Sequence, residues 1–285
     1  EPEAKDVGPA VGLTIANLLK SFPDTPMVIL WSDHILKEDG LFRKILDTCA
    51  KVVTRDKNKL IFISQKPRFA SQNLGWIEFE KEKLDREGLK FHEFKSFHYR
   101  PNLSIAEKFF KSGFHAWNLG YFVTTPSFLW QLFKLHQPQM YKILFQIYKS
   151  VGTPSYKTTL ERLYTTLPKI SFDNAILEKI DKEDAYVISE NLGWSDVGAW
   201  EALKEALQSS PEQNVTSGKV LVTDCSDTLV YNYTNQMVVT IDLDGFLVIN
   251  THDVVLVCHK NSVPKIKKLV ENLAKSEYEH LILNA

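Results

Sequence analysis

The sequence predicts an α/β domain over residues 1–210 and a smaller β-rich unit over 211–285. Three observations carry that expectation. In the first part, apolar residues at helical spacing alternate with short, wholly apolar runs, the texture of a layered α/β architecture. Near Gln208-Ser209-Ser210-Pro211 the texture changes. Beyond it, short β-rich runs recur about every nine residues between Asp, Asn and Gly, as in an all-β unit or a short solenoid.

The elements follow in order. Val11, Ile15, Leu18, Leu19 and Phe22 share one helix face, and Pro23 ends that helix. Met27-Val28-Ile29-Leu30-Trp31 reads as a fully buried strand, with Ser32-Asp33-His34 at its C-terminal end. Leu60-Ile61-Phe62-Ile63 reads as another. Ser104 and Glu107 form a capping-box pattern ahead of Phe109 and Phe110. Thr125-Pro126 is a cap followed by proline at the first helical position. Met140, Ile143, Leu144, Ile147 and Val151 make a further apolar stripe. The β-rich runs are 219–223, 228–232, 237–241, 246–249 and 254–258, and a last helix follows Pro264 with Ile266, Leu269, Val270 and Leu273 on one face.

Of the 285 residues, 44% are apolar and 24% charged, ordinary values for a globular protein. Lys plus Arg (34) nearly cancels Asp plus Glu (35), so no global field draws the chain to nucleic acid or anionic lipid. Cys49, Cys225 and Cys258 lie far apart without zinc-site spacing, which suits a reducing cytoplasm. No apolar run reaches the ~20 residues of a membrane helix, and no signal peptide opens the chain. Glu1-Pro2-Glu3 lacks an initiator Met, which points to a processed end or a piece of a longer gene product.

Four constellations could carry chemistry. Asp33 ends an apolar strand, where open α/β sheets place ligands. Asp196 lies in Gly193-Trp194-Ser195-Asp196-Val197-Gly198-Ala199-Trp200, a turn before a helix. Carboxylates so placed can hold Mg²⁺ against substrate phosphates, or cap a helix or turn. Asn118 is polar within the aromatic run 114–122, and Gly120 lets a ligand approach the backbone. Its amide can donate to and accept from sugar hydroxyls, or be satisfied within a turn. Arg100, between a strand and a capped helix, can grip a phosphate or stand as a solvated surface cation.

In order along the whole chain, these pieces resemble the mannose-1-phosphate guanylyltransferases among the sugar-nucleotide pyrophosphorylases. The family's Glu-Pro…Asn-Thr-Ala-Pro-Ala segment is similar to Glu1-Pro2…Asp6-Val7-Gly8-Pro9-Ala10, and its Pro-Ala-Asp-His strand end to Trp31-Ser32-Asp33-His34. Gly-Tyr-Gly-Tyr-Ile resembles Asn73-Leu74-Gly75-Trp76-Ile77; Glu-Lys-Pro resembles Tyr99-Arg100-Pro101. Trp-Asn-x-Gly is met by Trp117-Asn118-Leu119-Gly120. Ser-Ile-Asp-x-Ala…Glu-Lys resembles Ser171-Phe172-Asp173-Asn174-Ala175…Glu178-Lys179, and residues 194–200 match Trp-x-Asp-Val-Gly-x-Trp without departure.

The resemblance implies a Rossmann-like nucleotidyltransferase sandwich with a mixed sheet, and a C-terminal left-handed β-helix. It implies transfer of GMP from GTP to mannose 1-phosphate, giving GDP-mannose and pyrophosphate. Asp33 and Asp196 would be Mg²⁺ ligands and, with Arg100 on the sugar phosphate, the catalytic set. Gly75, Tyr99, Asn118, Gly120, Asp173 and Glu178 would serve the sugar; Asp6, Gly8, Pro9 and Ala10 would line the base pocket. The partners would be GTP and mannose 1-phosphate, with neither nucleic acid nor membrane. Oligomeric state is left open, a homo-oligomer included.

Departures temper the reading. Arg100 keeps the charge of the family Lys, but Tyr99 removes a carboxylate acceptor for the sugar. Asp6-Val7-Gly8 replaces Asn-Thr-Ala, and Asn73-Leu74-Gly75 replaces Gly-Tyr-Gly. The family's opening Gly-Gly-x-Gly-x-Arg-Leu-x-Pro-Leu loop does not occur in these residues. Residues 1–285 alone are therefore not expected to make GDP-mannose at a normal rate: they would be a fragment, be completed by another polypeptide, or have lost the activity. Alternatives are a catalytically silent sugar-nucleotide-binding regulator, or a pyrophosphorylase for another sugar phosphate.

Overall fold

The computed structural model describes residues 1–197 and 200–273, so Gly198 and Ala199 of the Trp194 motif lie outside the described residues. The chain divides into two compact units, Glu1–Ser32 with Leu36–Leu192, and Asp33–Ile35 with Gly193–Ala285.

The first unit is a mixed α/β sandwich. In chain order it contains α1 (Val7–Leu18), β1 (Met27–Ile29), α2 (Asp39–Arg55), β2 (Leu60–Gln65), β3 (Trp76–Arg86) and β4 (Leu89–His98). Then come α3 (Leu103–Ser112), β5 (His115–Thr124), α4 (Pro126–His136), α5 (Pro138–Ser150), α6 (Tyr156–Tyr164), α7 (Phe172–Ala175) and β6 (Ala185–Glu190). Among the described residues the sheet has six strands in the order β1-β5-β2-β6-β4-β3, and β3 also pairs with β5. Only β2 and β6 run parallel; the remaining pairs are antiparallel.

Alternation along the strands separates two faces. Phe62, Ile77, Phe79, Phe94, Phe122 and Val187 join Val11, Ile15, Leu129, Phe133 and Leu144 of α1, α4 and α5 in one core. On the other face Phe42 of α2 packs on Tyr121, ring centroids 5.6 Å apart.

Several local expectations shift. Helix α1 starts at Val7, because Pro9 falls in its first turn, where no intrahelical N–H is lost. It ends at Leu18, short of Pro23. The 27–31 run is a short edge strand: Met27 and Ile29 face the core, while Val28 and Leu30 are exposed. The cap of α3 is Asn102, whose side chain accepts from Ile105 N at 3.0 Å, so Ser104 and Glu107 lie inside the helix. Thr125 caps α4 with Pro126 at its start, as its sequence implies.

The second unit contains α8 (Trp200–Leu207), β7 (Val215–Ser217), β8 (Val220–Thr223), β9 (Leu229–Asn232), β10 (Val238–Ile241), β11 (Phe246–Asn250), β12 (Val255–His259) and α9 (Pro264–Leu273). Its parallel pairings decide for the solenoid. Leu229 lies beside Leu247, and Val220 beside Val238, both offsets of eighteen residues. Successive strands alternate between two sheets, so the nine-residue recurrence is half a coil. Corner residues repeat with the coil: Asp224 and Asp242 (φ 53° and 58°), then Asp227 and Gly245 (φ 51° and 69°), all turn left-handed. Antiparallel β12 closes the last coil. Val215, Leu229, Leu247 and Ile249 form its core.

Candidate functional site

In the first unit the site is organised by a bulge in β5. Ile63 pairs with Tyr121 but Ser64 with Asn118, so Leu119 and Gly120 are extra residues on the β5 side. Bulges re-aim side chains next to sites. Gly120 has φ 72°, and a Cβ there would stand 2.0 Å from Trp31 Nε1, so glycine alone fits over the indole. The bulge fixes Asn118 from every side. Its backbone N–H donates to Gly75 O at 2.8 Å, its Oδ1 accepts from Gly120 N at 3.1 Å, and its Nδ2 donates to Asp173 Oδ1 at 3.3 Å. Gly75 is flush against it, since an added Cβ would lie 3.4 Å from Asn118 Cβ and 3.1 Å from Phe97.

Asp173 is half-buried in the short α7, which Ser171 caps. Burial first, then the negative charges of Glu178 and Asp6, raise its carboxyl above the ordinary value, and Arg100 pulls the other way. Asp6, Arg100 and Glu178, from three separate stretches of the chain, therefore all act on Asp173. Arg100 holds a left-handed backbone (φ 41°) with its guanidinium 5.2 Å from the ring of exposed Tyr99. Glu178 is exposed on the turn Leu177–Lys179.

The N-terminal segment is pinned beside this cluster. Gly8 N donates to Ile170 O at 3.0 Å, and a Cβ on Gly8 would come within 2.6 Å of that oxygen. Gly8 and Pro9 are buried; Asp6 caps α1 through Val7 N at 2.7 Å. Asp6 and Ala10 line an apolar groove of about 580 Å³ with Val11, Ile29 and Trp31. Trp31, under Gly120 and along this groove, has no polar signal in the sequence to mark it.

In the second unit Ile35 and Ser195 form an antiparallel bridge with both hydrogen bonds made, at 2.9 and 3.0 Å. That pairing brings the segments of Asp33 and Asp196 side by side. Next to Asp33, His34 accepts the Trp194 indole N–H on Nδ1 at 3.0 Å. Burial lowers the His34 pKa, against the opposing pull of both Asp33 and Asp196. With Nδ1 engaged as an acceptor, the imidazole stays neutral. The two adjoining segments thus each carry a carboxylate, the hard oxygen donor that Mg²⁺ takes.

A mixed-sheet α/β sandwich followed along the chain by a parallel coil is a build met among the nucleotidyl transferases. Residues 1–213 match the nucleotidyl transferase family, and the chain belongs to it. Residues 218–273 match the MannoseP isomerase/GMP-like beta-helix domain. The chain is 27% identical over 283 residues to mannose-1-phosphate guanylyltransferase 2 of Escherichia coli O157:H7, covering 96% of this chain and 57% of that protein. It is 29% identical over 285 residues to a mannose-1-phosphate guanylyltransferase of Salmonella montevideo, covering 99% and 59%. The chain thus spans under two thirds of these relatives' length. Among solved structures it is similar to one from Thermus thermophilus named mannose-1-phosphate geranyltransferase: TM-score 0.82 and 26% identity, over 96% of this chain and 76% of that one. No described helix is long and apolar enough to cross a membrane.

Proposed function

We propose that the protein transfers GMP from GTP to mannose 1-phosphate, and that residues 1–285 hold the sugar-phosphate and metal-binding parts of that machinery. The observation that carries this reading is the Asn118 bulge, fixed by Gly75, Gly120 and Asp173 within a chain of the nucleotidyl transferase family. Asn118 and Asp173 would bind sugar hydroxyls, one as donor and acceptor, the other as acceptor. Arg100 would hold the sugar phosphate, and Asp6 and Ala10 would border the base. Asp33 and Asp196 are the residues that would hold Mg²⁺, which when bound would neutralise phosphate charge and orient the α-phosphorus for attack by the sugar-phosphate oxygen. Such a reaction asks the protein mainly for position and charge stabilisation.

A second reading, a regulator that binds sugar nucleotide without turnover, is favoured by Tyr99, an exposed phenol where the resemblance to the family's Glu-Lys-Pro motif implies a carboxylate. Calorimetry of the purified protein with GDP-mannose, UDP-glucose and mannose 1-phosphate, beside a pyrophosphate-release assay with GTP and Mg²⁺, separates these readings. Selective GDP-mannose binding fits both readings; pyrophosphate release, from these residues or once the family's Gly-rich loop segment is supplied, supports the enzyme, and binding with no release even then supports the regulator. Preference for UDP-glucose would sink the GDP-mannose enzyme and leave a sugar-nucleotide protein of another specificity.

A further inference from the structure

On the sheet face opposite the main helical core, three strands converge on a polar cluster that contains none of the residues assigned to nucleotidyl transfer. Glu78 of β3 is paired directly with His115 of β5, and Trp76, two residues earlier, with His98 of β4. Alternation therefore sends Glu78, His98 and His115 to one face. One ligand-capable atom from each lies within 4.8 Å of the other two. Phe109 of α3 covers them, its ring 4.1 Å from His115 and 4.8 Å from His98.

Hydrogen-bond accounting fixes what His115 offers. The Ser112 hydroxyl donates to Phe109 O at 2.8 Å, so its oxygen is left to accept, and His115 Nδ1 lies 2.7 Å from it. Nδ1 must then carry the proton, and Nε2 a bare lone pair. That buried Nε2 has no hydrogen-bond partner among the described residues. A buried acceptor left unmet is costly, and one aimed into a His/Glu cluster is oriented as a metal ligand is oriented by its outer partners. Glu78 is prepared in the same way. Lys95 holds its Oε1 at 2.7 Å, while Oε2 takes the Ser96 hydroxyl at 2.8 Å and stands 3.6 Å from His98 Nε2.

We propose that Glu78, His98 and His115 form a binding site for a zinc-class divalent ion, a two-histidine, one-carboxylate set with a fourth position open to water. The site clips β3, β4 and β5 together beneath α3. Zinc takes such ligands at about 2.0–2.2 Å in a tetrahedron, which puts ligand atoms about 3.3 Å apart. Glu78 and His98 already approach this, and the side chain of His98, 37% exposed, supplies both the freedom to close and the path for entry. By the same accounting His98 Nε2 here donates to the Ser96 oxygen at 2.8 Å, so metal binding would end that contact and move the His98 proton to Nδ1, while Ser96 keeps Glu78.

The test uses tag-free full chain, stripped with a chelator and titrated with Co²⁺ and Zn²⁺. Saturation at one equivalent is expected, with the visible absorption of four-coordinate Co²⁺ bleached by Zn²⁺. His98→Gln and Glu78→Gln, both at solvent-reaching positions, should each weaken binding at least about 100-fold, more than outer-partner losses do. His92→Gln, on β4 outside the cluster, should leave it unchanged. No saturable binding by the unmodified chain would overturn the site without any variant being needed. Binding that persists undiminished in both His98→Gln and Glu78→Gln would overturn it equally.

Discussion

A methyl group on Gly120 would sit 2.0 Å from Trp31 Nε1, on a backbone already at φ 72°. Gly120→Ala must therefore move either the bulge or the indole. Left-handed strain alone costs about 1–3 kcal/mol, and urea unfolding should show at least that loss. It should also weaken sugar-phosphate binding, because Asn118 Oδ1 is set by Gly120 N. Asp173 makes the opposite trade. Its carboxyl is raised above 3.8 by burial first and then by Glu178 and Asp6, so the folded state holds the proton more tightly than the unfolded chain. Its stability contribution is therefore largest below the ordinary carboxyl value and is lost as pH rises through the raised one. Asp173→Asn keeps an acceptor for Asn118 and removes the buried charge. At pH 7 it should raise the urea midpoint and flatten its pH dependence, while GDP-mannose binding by calorimetry falls. A variant no more stable than the parent at pH 7 would show that the charge is already compensated.

Within the elements, the coil is held by polar groups as much as by its small core. Asn250 Nδ2 donates to Asn232 Oδ1 at 2.9 Å, and Asn232 Nδ2 donates to Lys219 O and Gln236 O at 3.0 and 2.7 Å. At the corner, Asp227 receives buried Lys204 of α8 and also Lys260. Burial alone would raise the Asp227 pKa; the two lysine hydrogen bonds outweigh it and hold the carboxyl below its ordinary value. Its contribution is thus present above pH 3.8 and is lost as pH falls through the lowered value. Asp227→Asn tests the charge without disturbing the turn, since Asn also tolerates φ near 51°. Leaving Lys204 buried without its carboxylate should cost about 3–5 kcal/mol, read as earlier loss of the near-ultraviolet signal of Trp200 and Tyr231, whose rings lie 5.6 Å apart.

For the molecule as a whole, a ligand that binds only the folded state stabilises it by about 2.7 kcal/mol at a hundred times its dissociation constant. GDP-mannose should accordingly shift the thermal midpoint more than UDP-glucose at equal concentration, and the shift should vanish in Asn118→Ala. Much of this fold is legible in the sequence. The nine-residue recurrence marks the coil's strands, and Thr125-Pro126 marks α4, because both signals are local. The β3–β4 hairpin is not, since its outer half, from Glu80 to Arg86, is solvent-facing on both sides and carries no apolar alternation. Strand β7 is too short to announce itself, and Pro9 hides the first turn of α1. The Asn118 and Asp196 segments stand out by aromatic and glycine neighbours. The Glu78, His98 and His115 cluster does not, because three strands assemble it and no spacing along the chain records it. The coil's eighteen-residue offset has a consequence for how such a unit can change over time. Its length grows in steps. Duplicating 229–246 would add a full rung with every left-handed corner still on an Asp or Gly, and that variant should melt cooperatively. Inserting half as many residues at the same place would exchange the two sheets and strand the corners. Insertions and deletions that survive in this unit should therefore come in whole rungs, or fall at its two ends, where β7 already pairs with β9 at an offset of fourteen and β12 turns antiparallel.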